Sequence, residues 1–167
     1  NNKLEIRQNK KDNPDILPKV TVSDIGTSKV YPKFETLTIN GVRKCLYQAG
    51  TNGIDYAQKI YPISSPDFDD LRYSTLFADI LCEVGLKNEN YEEIQKRQSS
   101  TVGQINSNFV VLRDRGDDTL NFGFKIGGYC LHSNLDKMEV LINDTINEFR
   151  LDEEDRINDI TKMHISG

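Results

Sequence analysis

The chain has 167 residues, a net charge of −5 and 37% hydrophobic residues, which fits one domain with a sizeable core, or one domain and a tail. The acidic balance argues against nucleic acid or an anionic membrane as partner. No apolar run approaches the roughly 20 residues that span a bilayer.

Residues 1–30 are polar and broken by Asn13-Pro14 and Leu17-Pro18, and read as a linker ending in a short extended segment, Leu17 to Ile25. Asn40-Gly41 lies between two β-prone runs within residues 34–48, a hairpin signal because both residues tolerate positive φ. A second turn, Gly50-Thr51-Asn52-Gly53, leads into a strand over 54–63. Ser65 and Pro66 then suit the N-cap and N1 of a helix, with Asp67, Asp69 and Asp70 at its positive end. Its apolar stripe is Tyr73, Leu76, Phe77, Ile80, Leu81 and Val84, and Gly85 is predicted as a left-handed C′ residue. Asn90 and Glu93 make a capping-box pattern for a second helix.

Extended structure returns at 103–112 and, beyond the polar turn 113–118, at 119–131, where Leu120, Phe122, Phe124 and Ile126 alternate with polar or small residues. Gly127-Gly128 reads as a bend or bulge in a strand that continues to Leu131, rather than as a phosphate-binding turn. A helix follows through Leu135, Met138, Leu141, Ile142, Ile146 and Phe149, capped by Ser133 or Asp136. A last one opens at Asp152 with Asp155 at its N3. The predicted class is α+β, a mostly antiparallel sheet packed against two helix pairs. The chain starts without Met and stops inside a helical pattern over 159–167, which reads as a piece of a longer polypeptide.

Little in this sequence offers chemistry. Cys45, Cys82 and Cys130 are odd in number and widely spaced, which suits a reducing compartment and core positions better than disulfides or a nucleophile. His132 and His164 have no partner at metal-ligand spacing. The acidic runs 67–70 and 152–155 sit at helix starts, where the dipole accounts for them without calcium. Cys130 and His132, two apart on a strand, share a side and could meet as a thiol–imidazole pair, an alternative enzyme. Asp79 lies on the polar side of its helix, as a solvated residue would.

Five segments carry a resemblance. They are I-L-P-K-V-T-V-S-D-I (16–25), T-N-G-I-D-Y (51–56), L-F-A-D-I-L-C-E-V-G-L-K-N-E-N-Y-E-E-I (76–94), G-Q-I-N-S (103–107) and F-G-F-K-I-G-G-Y-C-L-H-S-N-L-D-K-M-E-V-L (122–141). Together and in this order they resemble the presequence-protease branch of the pitrilysin/insulinase zinc metallopeptidases. The match is to the associated, non-catalytic third domain that begins the C-terminal half. The resemblance implies two halves closing around a peptide chamber, with zinc held in the first domain by His-x-x-Glu-His on a helix that runs into a Gly turn. Anchored on Gly85, that motif falls on Leu76, Asp79 and Ile80, so Asp79 is a relic position. The implied organisation is an inter-half linker over 1–30 and a pitrilysin-type domain over 31–167, cut short at its C-terminus. Catalytic and metal residues in this chain are expected to be none. The implied cofactor is zinc in the parent's N-terminal domain. The implied partners are that catalytic half and unfolded peptides, in an intracellular, mitochondrial or other organellar setting. The alternative within the family is an interaction domain of a catalytically dead member, like subunits of processing peptidase or respiratory core proteins.

Overall fold

A computed structural model describes residues 2–10, 13, 16–28, 31–113 and 119–166. The chain is α+β, and it divides into two units at Gly50/Thr51.

The first unit holds helix α1 (Asn2–Gln8), a 3₁₀ turn at Val22–Asp24, and the hairpin β1 (Phe34–Ile39) and β2 (Val42–Tyr47). The hairpin turns at Asn40 (φ 51) and Gly41 (φ 80), the pair of left-handed residues that the Asn-Gly dipeptide predicts. Two expectations for this stretch are corrected. A short helix occupies 2–8, where the sequence predicts only linker. The Val-Ser-Asp run is a 3₁₀ turn rather than extended, because Asp24 Oδ2 accepts hydrogen bonds from the Thr21 N–H (2.7 Å) and hydroxyl (2.8 Å) and curls the chain. Pro14 lies outside the described residues.

The second unit is built on a three-stranded antiparallel sheet in the order β3–β5–β4, formed by β3 (Ile54–Ile63), β4 (Gln104–Arg113) and β5 (Leu120–Leu131). Helix α2 (Phe68–Leu81) follows β3, and α3 (Tyr91–Thr101) precedes β4. Helices α4 (Leu135–Asn147) and α5 (Glu154–Ser166) close the unit. Residues 114–118 of the predicted polar turn lie outside the described residues.

The core sits on one side of the sheet. Ile126 and Cys130 of β5 meet Met138 and Ile142 of α4 and Leu81 and Cys82 at the end of α2. A second cluster, Ile80, Val84 and Ile160, fastens α5 to α2, and a third, Leu86, Ile94 and Leu141, fastens α3 to α4. Phe149 packs against all three clusters. The lower half of the predicted α2 stripe is therefore core. Its upper half is not, since Tyr73 is 52% exposed and Phe77 37%. A helical period states which residues share a face but not how far along its length that face is covered.

Several boundaries shift. Asp67, not Ser65, is the N-cap of α2: its carboxylate accepts the Asp70 N–H at 2.8 Å while Asp70 returns the bond to the Asp67 N–H at 3.1 Å. Ser65 instead takes a left-handed turn conformation (φ 50). Gly85 is not left-handed, because α2 ends at Leu81 and the left-handed residue of the following turn is Lys87 (φ 51). Gly85 is small for another reason: a Cβ there would lie 2.5 Å from the Glu89 carbonyl oxygen. The Gly127-Gly128 pair makes no bulge, since register with both neighbours runs unbroken. A Cβ on Gly128 would collide with the Gln104 carbonyl oxygen, so close strand approach excludes a side chain. At α4 the N-cap is Asn134, without a side-chain cap, rather than Ser133 or Asp136. Helix α5 begins at Glu154, not Asp152, because Asp152 is engaged by Arg150 through two hydrogen bonds of 2.9 and 2.7 Å.

Candidate functional site

The helix that leads to Gly85 carries the positions singled out by the sequence. Ile80 is buried against Val84 and Ile160, and Leu76 packs against the same cluster. Neither side chain has an atom that could coordinate a metal. Asp79, between them in sequence, is exposed, as its place on the polar side predicts, but it is not solitary. His164 Nδ1 on α5 donates to its Oδ2 at 2.7 Å. A carboxylate with one imidazole partner and aliphatic neighbours falls short of the donor set a zinc ion needs. These residues do not fit the metal, and no step of metal chemistry runs through this helix. Among the described residues, no group of three or more His, Cys, Asp or Glu side chains is placed to hold a metal ion.

The thiol–imidazole alternative fails on geometry. His132 belongs to the 3₁₀ turn after β5, is 80% exposed in its side chain, and bonds through Nδ1 to Asp55 Oδ2 at 2.7 Å. Cys130 is buried, and burial raises its pKa, with Asp55 adding to the effect. Such a thiol stays protonated and is a poor nucleophile. Cys82 is buried too. Desolvation pushes its pKa up to about 11. The Ser107 hydroxyl donates to the Ala78 carbonyl (2.7 Å), and the Cys82 thiol donates to Ser107 Oγ (3.4 Å). This chain of bonds ties the end of α2 to β4.

The polar residues that the structure does bring together surround the Gly85 turn. Leu86 bridges Phe149, the Lys87 N–H donates to the Glu148 carbonyl (2.9 Å) and the Arg150 N–H to the Gly85 carbonyl (2.9 Å). Glu153 then reaches back. Its Oε2 accepts the Gly85 N–H (2.6 Å) and its Oε1 the Tyr91 N–H (3.0 Å) in the first turn of α3. Arg156 bonds the Glu83 carboxylate and lies over the Tyr91 ring, 5.0 Å from its centroid. Arg97 joins Glu89 to Asp144, both at 2.8 Å. The sequence alone accounts for the acidic run at 152–155 by the dipole of its own helix. Glu153 serves a different helix, 62 residues earlier in the chain, and no local pattern carries that information.

This arrangement defines a class: an α+β domain with helices on one side of its sheet, whose buried and half-buried polar groups hold elements to one another. The chain belongs to the family described as peptidase M16 (subfamily C) associated, whose model matches residues 1–167. It is 24% identical over 164 residues to a mitochondrial presequence protease of Drosophila melanogaster, covering 98% of this chain and 16% of that protein. It is 25% identical to Protein HypA of Clostridium perfringens, covering 96% of this chain and 17% of that protein. It is 27% identical to a mitochondrial presequence protease of Danio rerio, covering 88% of this chain and 14% of that protein. The chain thus spans about one sixth of the length of the curated relatives it matches.

Proposed function

We propose that this chain is a non-catalytic domain of a zinc metalloendopeptidase that degrades presequences or other unfolded peptides, and that it helps to enclose the chamber in which they are cut. Residues 1–30 belong to the connection between the enzyme's two halves, and 31–167 to the domain that opens the C-terminal half. Zinc and its activated water belong to the N-terminal half. The observation that carries this reading is the burial of Ile80, with Leu76 packed beside it, at the positions onto which the resemblance lays the histidines of the zinc motif. Membership of a peptidase-associated family along the whole chain supports it. The relatives named as mitochondrial presequence proteases support a mitochondrial or similar organellar setting.

The test is cleavage of an unstructured peptide by three preparations: this chain alone, the polypeptide that precedes it, and the two joined as one chain. The expected result is turnover by the joined protein, little by the preceding half, and none by this chain. Turnover by this chain alone, or undiminished turnover by the preceding half without it, contradicts the proposal.

A further inference from the structure

The chain holds two Asn-Gly pairs, Asn40-Gly41 and Asn52-Gly53, and both asparagines sit at positive φ in exposed turns. This dipeptide carries chemistry of its own. Gly41 has no side chain to shield its main-chain nitrogen, which can attack the side-chain carbonyl carbon of Asn40, Cγ. The bond from that nitrogen to Cγ closes a succinimide ring. The bond from Cγ to Nδ2 breaks, and ammonia leaves with the proton that the Gly41 nitrogen has lost. Water then opens the ring at either carbonyl and gives aspartate or isoaspartate. Water is the only co-reactant.

Ring closure turns the asparagine main chain far from its place in a closed two-residue turn, so the rate follows how often that turn opens. Exposure does not distinguish the two sites, but their surroundings do. Gly53 leads straight into β3, where Ile54 pairs with Leu131 in the three-stranded sheet. The Ile54 N–H donates to the Thr51 carbonyl across the turn (3.2 Å), and the Gly53 carbonyl accepts the His132 N–H (3.0 Å). Asn40-Gly41 closes only the β1–β2 hairpin, in which every strand residue is exposed. A two-stranded hairpin without a covered face is marginal in water. It is held by the ladder from Ile39 and Val42 to Phe34 and Tyr47, and by the rings of that last pair, 5.2 Å apart.

We propose that Asn40 is a spontaneous modification site, at which deamidation to isoaspartate releases β1 from β2. Aspartate alone would keep the turn, since its side chain tolerates left-handed backbone. Isoaspartate instead adds a methylene to the main chain, which a two-residue turn cannot absorb. The change runs one way, because ammonia is lost to solvent.

The experiment is incubation of the full chain at mildly alkaline pH, which favours loss of the glycine nitrogen's proton, with the amide-to-acid mass change mapped to each asparagine over time. Conversion at Asn40 is expected to run several-fold faster than at Asn52. Phe34→Ala removes the ring pair and should speed conversion at Asn40 by about threefold. Thr36→Cys places a thiol directly opposite Cys45. Oxidation of that pair to a disulfide should slow Asn40 relative to the same variant kept reduced. In the isoaspartate form, NMR contacts between β1 and β2 should vanish while those within β3–β5–β4 persist. Equal rates at the two asparagines, or a rate unchanged by either variant, overturn the assignment of the site. Contacts between β1 and β2 that survive in the isoaspartate form overturn the release.

Discussion

Single residues in this domain are fixed by what surrounds them more than by what they could do. Gly128 is an example: any added Cβ would collide with the Gln104 carbonyl oxygen, so Gly128→Ala forces the backbones of β4 and β5 apart. Overpacking of this kind costs about 1–3 kcal/mol, to be read as a lower midpoint in chemical denaturation. A cost near zero would show that the strands can separate freely. Glu153→Ala leaves the Gly85 and Tyr91 N–H groups without their acceptor. The expected loss is about 2 kcal/mol, checked by the same measurement, with Glu153→Gln losing less because an amide oxygen remains. The thiols give a third expectation. Exposed Cys45 should alkylate at once, and buried Cys82 and Cys130 only when the fold opens, counted by mass spectrometry. Because the folded Cys82 pKa lies near 11, above its ordinary 9.0, the unfolded chain releases this proton first as pH rises. Stability is therefore intact below about pH 9 and falls by roughly 2–3 kcal/mol toward pH 11. Burial of Cys130 acts in the same direction. Comparing Cys82→Ala with the parent across that range isolates the effect. An identical alkaline slope in both would contradict the burial of this thiol.

At the level of elements, legibility in the sequence follows the range of the interaction. The Asn40-Gly41 hairpin, the Asn52-Gly53 turn and the Asn90/Glu93 capping box are local, and each stands where it is read. The alternation along β5, the lower half of the α2 stripe and the stripe of α4 locate the core because period and packing agree. What was not legible depends on partners distant in sequence. Helix α5 starts late because Arg150 holds Asp152 and Glu153 turns back to α3. Asp79 finds His164 across 85 residues, and Gly85 is dictated by Glu89 and Glu153 rather than by a left-handed φ. The aliphatic stripe through Leu76 and Ile80 was legible, and both pack against the cluster that joins α2 to α5. The partnership of Asp79 was not. Phe149 is the residue through which the elements depend on one another, since it packs against all three core clusters. Phe149→Ala should cost about 3 kcal/mol and loosen α3, α4 and α5 together, visible as loss of amide exchange protection in all three. Loss confined to one helix would mean that the clusters are independent. By contrast Asp79→Asn, which breaks an exposed pair, should change stability by less than about 1 kcal/mol.

For the whole molecule, membership of a peptidase-associated family goes with aliphatic packing where α2 meets α5. The end of α2 is anchored by Ile80, Val84 and Ile160, and the Asp79 carboxylate is bonded to the His164 imidazole. This packing supports the enclosing role proposed above, in which zinc is held outside this chain. Quantifying zinc retained by the purified chain, after incubation with the metal and exhaustive dialysis, tests this most directly. Only a trace is expected, unchanged by Asp79→Asn. A full equivalent of zinc held by the chain, and lost in that variant, would contradict it.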